Sequence, residues 1–247
     1  MNTDSGDKGR LVVVTGGARG IGRAIASAFL EHGDRVCLTD ILSDQLAATA
    51  SELGCVESPM DVADPNSVQE NMVAIERNHG SIEVLVNNAG VMSRDSVEET
   101  SFAEWSRVVG VNLNGVFNCC HAVIPFMRSR GSGRIINLGS IWAGHAWPNR
   151  AAYSASKAAV EQFTRCFALE VAPYGVLVNA ISPGIMATEM TRRVVDDQEF
   201  RAAFMTKVAT GIVGDPKRHL AGLAVFLASD DAGYMSGEVV EVHGGYY

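Results

Sequence analysis

The stretch Leu11-Val12-Val13-Val14-Thr15-Gly16-Gly17-Ala18-Arg19-Gly20-Ile21-Gly22 decides the fold of this chain. Four consecutive apolar residues before a polar turn read as a strand buried on both faces. The glycines that follow let the backbone turn sharply, and a helical pattern then runs from Ile21 to Glu31. A strand, a glycine-rich turn and a helix in that order bring backbone N–H groups and the positive helix end to one point, where a pyrophosphate fits. The spacing Gly16, Gly20, Gly22 departs from the common G-x-G-x-x-G.

The same alternation continues along the chain. Further strands are expected at Arg35–Thr39, Cys55–Met60, Ile82–Val86, Arg134–Leu138, Val176–Ala180 and Glu238–Val242. Helices are expected at Ser43–Leu53, Asn66–Asn78, Phe102–Met127, Ala151–Val171 and Pro216–Ala228. This predicts an α/β, doubly wound, seven-stranded parallel sheet with helices on both faces and right-handed crossovers. No linker, repeat or low-complexity tract interrupts it, so residues 1–247 read as one domain. The segment from about 185 to 214 fits no sheet element and is expected to form a substrate lid.

Composition narrows the function. Apolar residues make up 47% and charged residues 19%, enough for a buried core. A net charge of −8 argues against nucleic acid and anionic membranes as partners. No apolar run approaches the ~20 residues of a membrane span, and the polar start Met1–Arg10 has no apolar h-region, so no secretory signal is expected. Cys37, Cys55, Cys119, Cys120 and Cys166 lack paired metal-site spacing; free thiols in a reducing cytoplasm are expected, and no metal.

Two constellations carry chemistry. At the strand ends, Asp40 is placed to accept hydrogen bonds from an adenosine ribose and to repel a 2′-phosphate, which favours NAD over NADP. Arg19 is open to pairing with a phosphate, touching the pyrophosphate or lying along the surface. Asp61-Val62 are placed to meet an adenine, and Asn87-Asn88-Ala89-Gly90 either line the groove or tie loops together. The second constellation is Tyr153 and Lys157, four apart and so on one helix face. There an ammonium would lower the pKa of the phenol and make it a competent proton carrier. Ser140 stands thirteen residues before Tyr153, at a strand end.

Thr15-Gly16…Gly20…Gly22, Asn87-Asn88-Ala89-Gly90, Asn112, Ser140, Tyr153…Lys157 and Pro183-Gly184 occur in the order found in the short-chain dehydrogenase/reductases, which this chain resembles over nearly its whole length. The resemblance implies a Rossmann-like sheet, NAD or NADP, and a homotetramer. It implies a catalytic tetrad of Asn112, Ser140, Tyr153 and Lys157. Tyr153 would exchange the proton of the substrate hydroxyl and Ser140 would steady the oxygen. Lys157 would hold the nicotinamide ribose, and Asn112 would hold a relay water. Ile21, Pro183, Gly184, Ile185 and Thr188 complete the implied cofactor contacts, Thr188 and the Ile185 backbone at the carboxamide.

Substrate walls would come from Ile141, Trp142, His145, Trp147, Met92, Met186 and Met190, a largely apolar pocket. Arg94 and Arg150 are candidate anchors for an anionic group. The expected reaction is NAD-dependent oxidation of a cyclic or aromatic-bearing secondary alcohol. The alternatives are reduction of a 3-oxoacyl thioester, or dinucleotide binding without turnover. Acyl-carrier reductases of the family dock their carrier on basic residues, and one such position here is Tyr174, though Arg128 and Arg130 remain. Val242-His243-Gly244-Gly245 departs from the family's V-D-G-G ending, and His243 is assigned a structural role at a subunit contact.

Overall fold

The computed structural model describes residues 9–192, 196 and 198–247. Residues 1–8, most of the polar start, and positions 193–195 and 197 of the lid segment lie outside the described residues.

Seven strands form one sheet: β1 Leu11–Thr15, β2 Arg35–Asp40, β3 Val56–Pro59, β4 Ile82–Asn87, β5 Gly133–Leu138, β6 Val176–Pro183 and β7 Val239–Val242. Every pairing is parallel, in the order β3-β2-β1-β4-β5-β6-β7. All five residues of β1 are buried, as a central strand covered on both faces requires. The order reverses between β1 and β4, which opens a crevice at their carboxyl ends.

Helices cover both faces. On one, α1 (Gly20–Glu31) and α2 (Ser43–Leu53) press Ile25, Phe29 and Leu46 onto Val12, Val14 and Leu38. On the other, α3 (Pro65–His79) contributes Met72 and Ile75 against Val13 and Leu85. Each fully buried side chain of this size stabilises by roughly 1.5–3 kcal/mol before entropy is charged.

The predicted helix Phe102–Met127 is continuous but not uniform. It consists of α4 (Phe102–Val109), a π turn at Gly110–Asn114 and α5 (Gly115–Arg130). The 29 residues Phe102–Arg130 are long and apolar enough to cross a membrane by length and composition, which the sequence reading did not expect; half of the apolar window is buried within the fold. Cys119 and Cys120, on the inner face of α5, are buried in the core.

Two further helices escaped the sequence pattern: α6 (Ile141–Gly144), capped by Ser140, and α8 (Gln198–Met205) inside the segment 185–214. Between them lies α7 (Ala151–Val171); after a π turn at Lys217–Ala221, α9 (Gly222–Leu227) follows. The lid segment is also less free of sheet-like pairing than its sequence suggests. Met186 bridges Gly214, and Val208 bridges Tyr246 in antiparallel fashion. These are long-range partners, invisible to local periodicity.

Candidate active site

At the crevice, Gly16 has φ +63°, and a Cβ on it would meet the Ala89 Cα at 2.8 Å. Gly22 is more tightly constrained, because a Cβ there would collide with the Gly16 carbonyl and the Asn88 amide. Asn88 holds this turn: its Nδ2 donates to the carbonyls of Thr15 and Gly16, both at 2.9 Å. The Asn88 and Ala89 N–H groups in turn donate to Thr15 Oγ1, each at 3.0 Å. Asn88 therefore ties the loops and also lines the groove. The first turn of α1 carries no side-chain cap, leaving its N–H groups for an anion.

One cavity of about 630 Å³ runs from Asp40 to Tyr153. Asp40 accepts hydrogen bonds from the Ala18 N–H at 3.2 Å and the Leu42 N–H at 3.1 Å. Its carboxylate is thus fixed at the outer end, with Arg19, Asp61 and Val62 beside it. Arg19 forms no ion pair among the described residues. Gly16, Gly20, Ile21, Ala89, Gly90, Pro183, Gly184, Ile185 and Thr188 also line the cavity, as expected; Gly22 lies beneath it. Residues that fit a dinucleotide in charge and close approach are thus assembled along one groove. The sequence reading missed Ile41, Leu42, Ser106, Arg107 and Val111 on its wall.

At the inner end, the Tyr153 phenol and the Ser140 side chain line the cavity together, and Ser140 favours the ionised phenol. Ser140 Oγ also accepts the Trp142 N–H at 3.2 Å, which orients it. Lys157 Nζ donates to the Leu138 carbonyl at 2.6 Å and sits 6.0 Å from the Tyr153 ring centroid. Burial pulls the Lys157 ammonium from 10.5 down to about 8, against the opposing charge of Glu161. The expected lowering of the phenol is not found. Burial raises the Tyr153 pKa, outweighing the Ser140 side chain and the Arg150 charge.

Asn112 does not touch the cavity. The π turn carries it inward, where its Oδ1 accepts the Val91 N–H at 2.8 Å and its Nδ2 donates to the Val91 carbonyl and Ser156 Oγ. A π turn inside an α-helix is a frequent mark of a functional site. Glu161, one turn beyond Lys157, was overlooked. Its carboxylate bonds Ser182 and accepts the Ser140 N–H at 3.5 Å. The i, i+4 spacing from Lys157 was the available signal.

Three substrate-wall assignments need correction, the first being Ile141, which is buried and does not line the cavity. Trp142 and Met186 line the cavity, but His145 and Trp147 line a separate shallow depression. Trp147 packs at a tilt against Trp142, ring centroids 5.6 Å apart, and His145 packs edge-on against Tyr246 at 5.0 Å, so both support the wall from behind. His243 is likewise occupied within its own chain: Nδ1 accepts the Tyr246 N–H, and Nε2 bonds Glu241, each at 2.9 Å.

The chain matches a family model described as Enoyl-(Acyl carrier protein) reductase over residues 16–247. It is 38% identical to the 3-oxoacyl-[acyl-carrier-protein] reductase FabG of Vibrio harveyi, covering 97% of this chain and 98% of that protein. It is 36% identical to the acetoacetyl-CoA reductase of Rhizobium meliloti, covering 96% and 98%. Among solved structures it resembles a gluconate 5-dehydrogenase from Burkholderia cenocepacia in complex with NADP and tartrate. That likeness has a TM-score of 0.93 at 33% identity, covering 96% and 95%. With relatives of equal length and a sheet of this topology, the chain belongs to the short-chain dehydrogenase/reductase family of oxidoreductases.

Proposed function

We propose that this protein, working as one domain, interconverts a ketone and a secondary alcohol, using Tyr153 as the acid/base. The observation that carries the reading is the convergence of Tyr153, Ser140 and Lys157 at the inner end of a groove suited to a dinucleotide. The bound nicotinamide would supply or accept the hydride. In reduction, Tyr153 gives its proton to the substrate oxygen, and Ser140 donates a hydrogen bond that steadies the charge developing there. Lys157 holds the ribose and adds positive charge. Asn112 ties Val91 to Ser156 of α7 and so supports the turn that carries Lys157; a relay water would have to be held by its main chain, since its amide is already bonded.

Asp40 supports NAD, because its fixed carboxylate would repel a 2′-phosphate. The NADP of the gluconate 5-dehydrogenase supports the phosphorylated dinucleotide instead, and Arg19 is the residue here that would accept it. The relatives' activities support a 3-oxoacyl compound as substrate more strongly than a cyclic or aromatic-bearing alcohol. Against docking of an acyl carrier, Arg128 stacks on Tyr174 at 3.8 Å and Arg130 bonds Glu76 at 2.6 Å. A cytoplasmic location fits the five free thiols. Quenching of NADH and NADPH fluorescence, followed by an absorbance screen of ketones, tests the reading. No turnover of any ketone by a protein that binds either dinucleotide would refute it in favour of pure binding.

A further inference from the structure

The chain ends in Tyr246-Tyr247, after a His243-Gly244-Gly245 turn that has no part in the active site as described. Gly244 and Gly245 are both left-handed, at φ +68° and +72°, and a Cβ at 244 would lie 2.5 Å from Thr210 Oγ1. The turn brings the tail alongside residues 207–210. There the Ala209 N–H donates to the Gly245 carbonyl at 3.1 Å, and the Thr210 N–H to the Gly244 carbonyl at 3.0 Å. Tyr247 adds two bonds, from its N–H to the Lys207 carbonyl at 3.1 Å and from its hydroxyl to the Thr206 carbonyl at 2.8 Å. His243 seats the turn. A main-chain N–H can only donate, so His243 Nδ1 accepts from Tyr246 and the imidazole proton lies on Nε2, facing Glu241 Oε2.

This pairing buries the Tyr246 ring. It is 7% exposed, packs edge-on against Trp142 with centroids 5.8 Å apart, and stacks on Phe204 of α8 at 5.1 Å. Trp142 and Phe204 also meet edge-on, at 5.9 Å, so the three rings close a triangle. With Ile141, Tyr153 and Val208 they form an apolar cluster of their own, apart from the two cores on the faces of the sheet. Trp142 and Tyr153 line the cavity, and Tyr246 stands behind them. In a close-packed cluster, a large ring removed from the back frees its neighbours to shift.

We infer that Tyr246, seated by His243, is a positioning residue that sets the size of the substrate admitted to Tyr153. It holds Trp142 on one side and α8 on the other, so the wall cannot retreat from a bulky group next to the reacting carbonyl. This rests on the oxidoreductase reading above and adds a limit of shape to it: small substituents on the carbonyl carbon are favoured over aryl ones. The aromatic ring of Tyr246 does this and not its hydroxyl, since the packing on Trp142 and Phe204 is made by the ring.

The test compares ethyl 3-oxobutanoate with ethyl 3-oxo-3-phenylpropanoate, using NADH and NADPH. A second arm follows amide hydrogen exchange of residues 207–210 in the cofactor-free protein. The wild type should favour the methyl ketone. Tyr246→Ala should raise the relative kcat/KM for the phenyl ketone by roughly ten- to hundredfold, chiefly through KM. It should also speed exchange at Ala209 and Thr210 on the order of tenfold. Tyr246→Leu keeps apolar volume and should give a smaller change of the same sign, while Tyr246→Phe should match the wild type. His243→Leu lacks the acceptor and should act like Tyr246→Ala; His243→Asn, whose Oδ1 replaces Nδ1, should restore the wild-type ratio. Near-ultraviolet circular dichroism reports whether each variant is folded. A substrate ratio that neither Tyr246→Ala nor Tyr246→Leu moves would overturn the assignment, even with faster exchange. Faster exchange in Tyr246→Ala, with no ketone turned over by the wild type, would sustain the tail's hold on residues 207–210 and sink the reaction.

Discussion

Lys157 Nζ donates a 2.6 Å hydrogen bond to the main-chain carbonyl of Leu138, the last residue of β5. This bond fixes the ammonium between helix α7 and the carboxyl end of the central strand β5, buried and able to shed its proton at about 8.

That enclosure has a consequence for stability. In the unfolded chain the group titrates near 10.5, so between about 8 and 10.5 the unfolded state holds more protons. Stability of the cofactor-free protein should therefore rise with pH through that window, by an amount on the order of 3 kcal/mol at most. Lys157→Met should remove this contribution. The check is denaturant unfolding of both proteins at pH 7 and 10; equal pH dependence would show that Lys157 is not held this way.

Tyr153→Phe removes the proton-carrying oxygen and keeps the ring. Turnover should fall on the order of 10²–10⁴-fold while dinucleotide affinity stays near the wild-type value. A variant retaining half of the wild-type kcat would rule out Tyr153 as the acid/base.

Asp40 and Arg19 make opposite demands at the adenosine end. Two negative groups a few ångströms apart in a partly desolvated groove repel by about 1–4 kcal/mol. The wild type should thus favour NAD by roughly tenfold or more in kcat/KM, and Asp40→Ser should improve NADP use. A wild type that prefers NADP would place control with Arg19.

Asn88→Ala would strip two carbonyls, those of Thr15 and Gly16, of their donor. A loss of about 1–3 kcal/mol in unfolding free energy is expected, together with weaker dinucleotide binding. Unchanged melting would mean that water replaces the amide at no cost.

A homotetramer built through α4, α5 and α7 is the expected assembly. Cys119 and Cys120 of α5 are buried within the protomer and supply no surface for it. Phe102, Phe117 and Leu169, exposed by 93%, 52% and 80%, supply apolar area instead, beside the stacked pair Phe163–Phe167. Light scattering should give four times the 26.3 kDa chain mass. An active monomer at micromolar concentration would exclude the assembly.

The sequence by itself determined the sheet and the order of its motifs, because both are written locally. The run Leu11–Val14 can only be buried, Gly16 and Gly22 leave room that any side chain would fill, and a spacing of four sets Tyr153 beside Lys157. Only the tertiary structure decided what depends on distant partners. Nothing local says that Trp147 and His145 turn towards Phe204 and Tyr246 rather than the cavity, or that the C-terminal tail pairs with Val208. The Tyr153 pKa was missed for the same reason. Residue spacing reports a neighbouring charge, but the desolvation that outweighs it comes from the whole fold packed around the phenol.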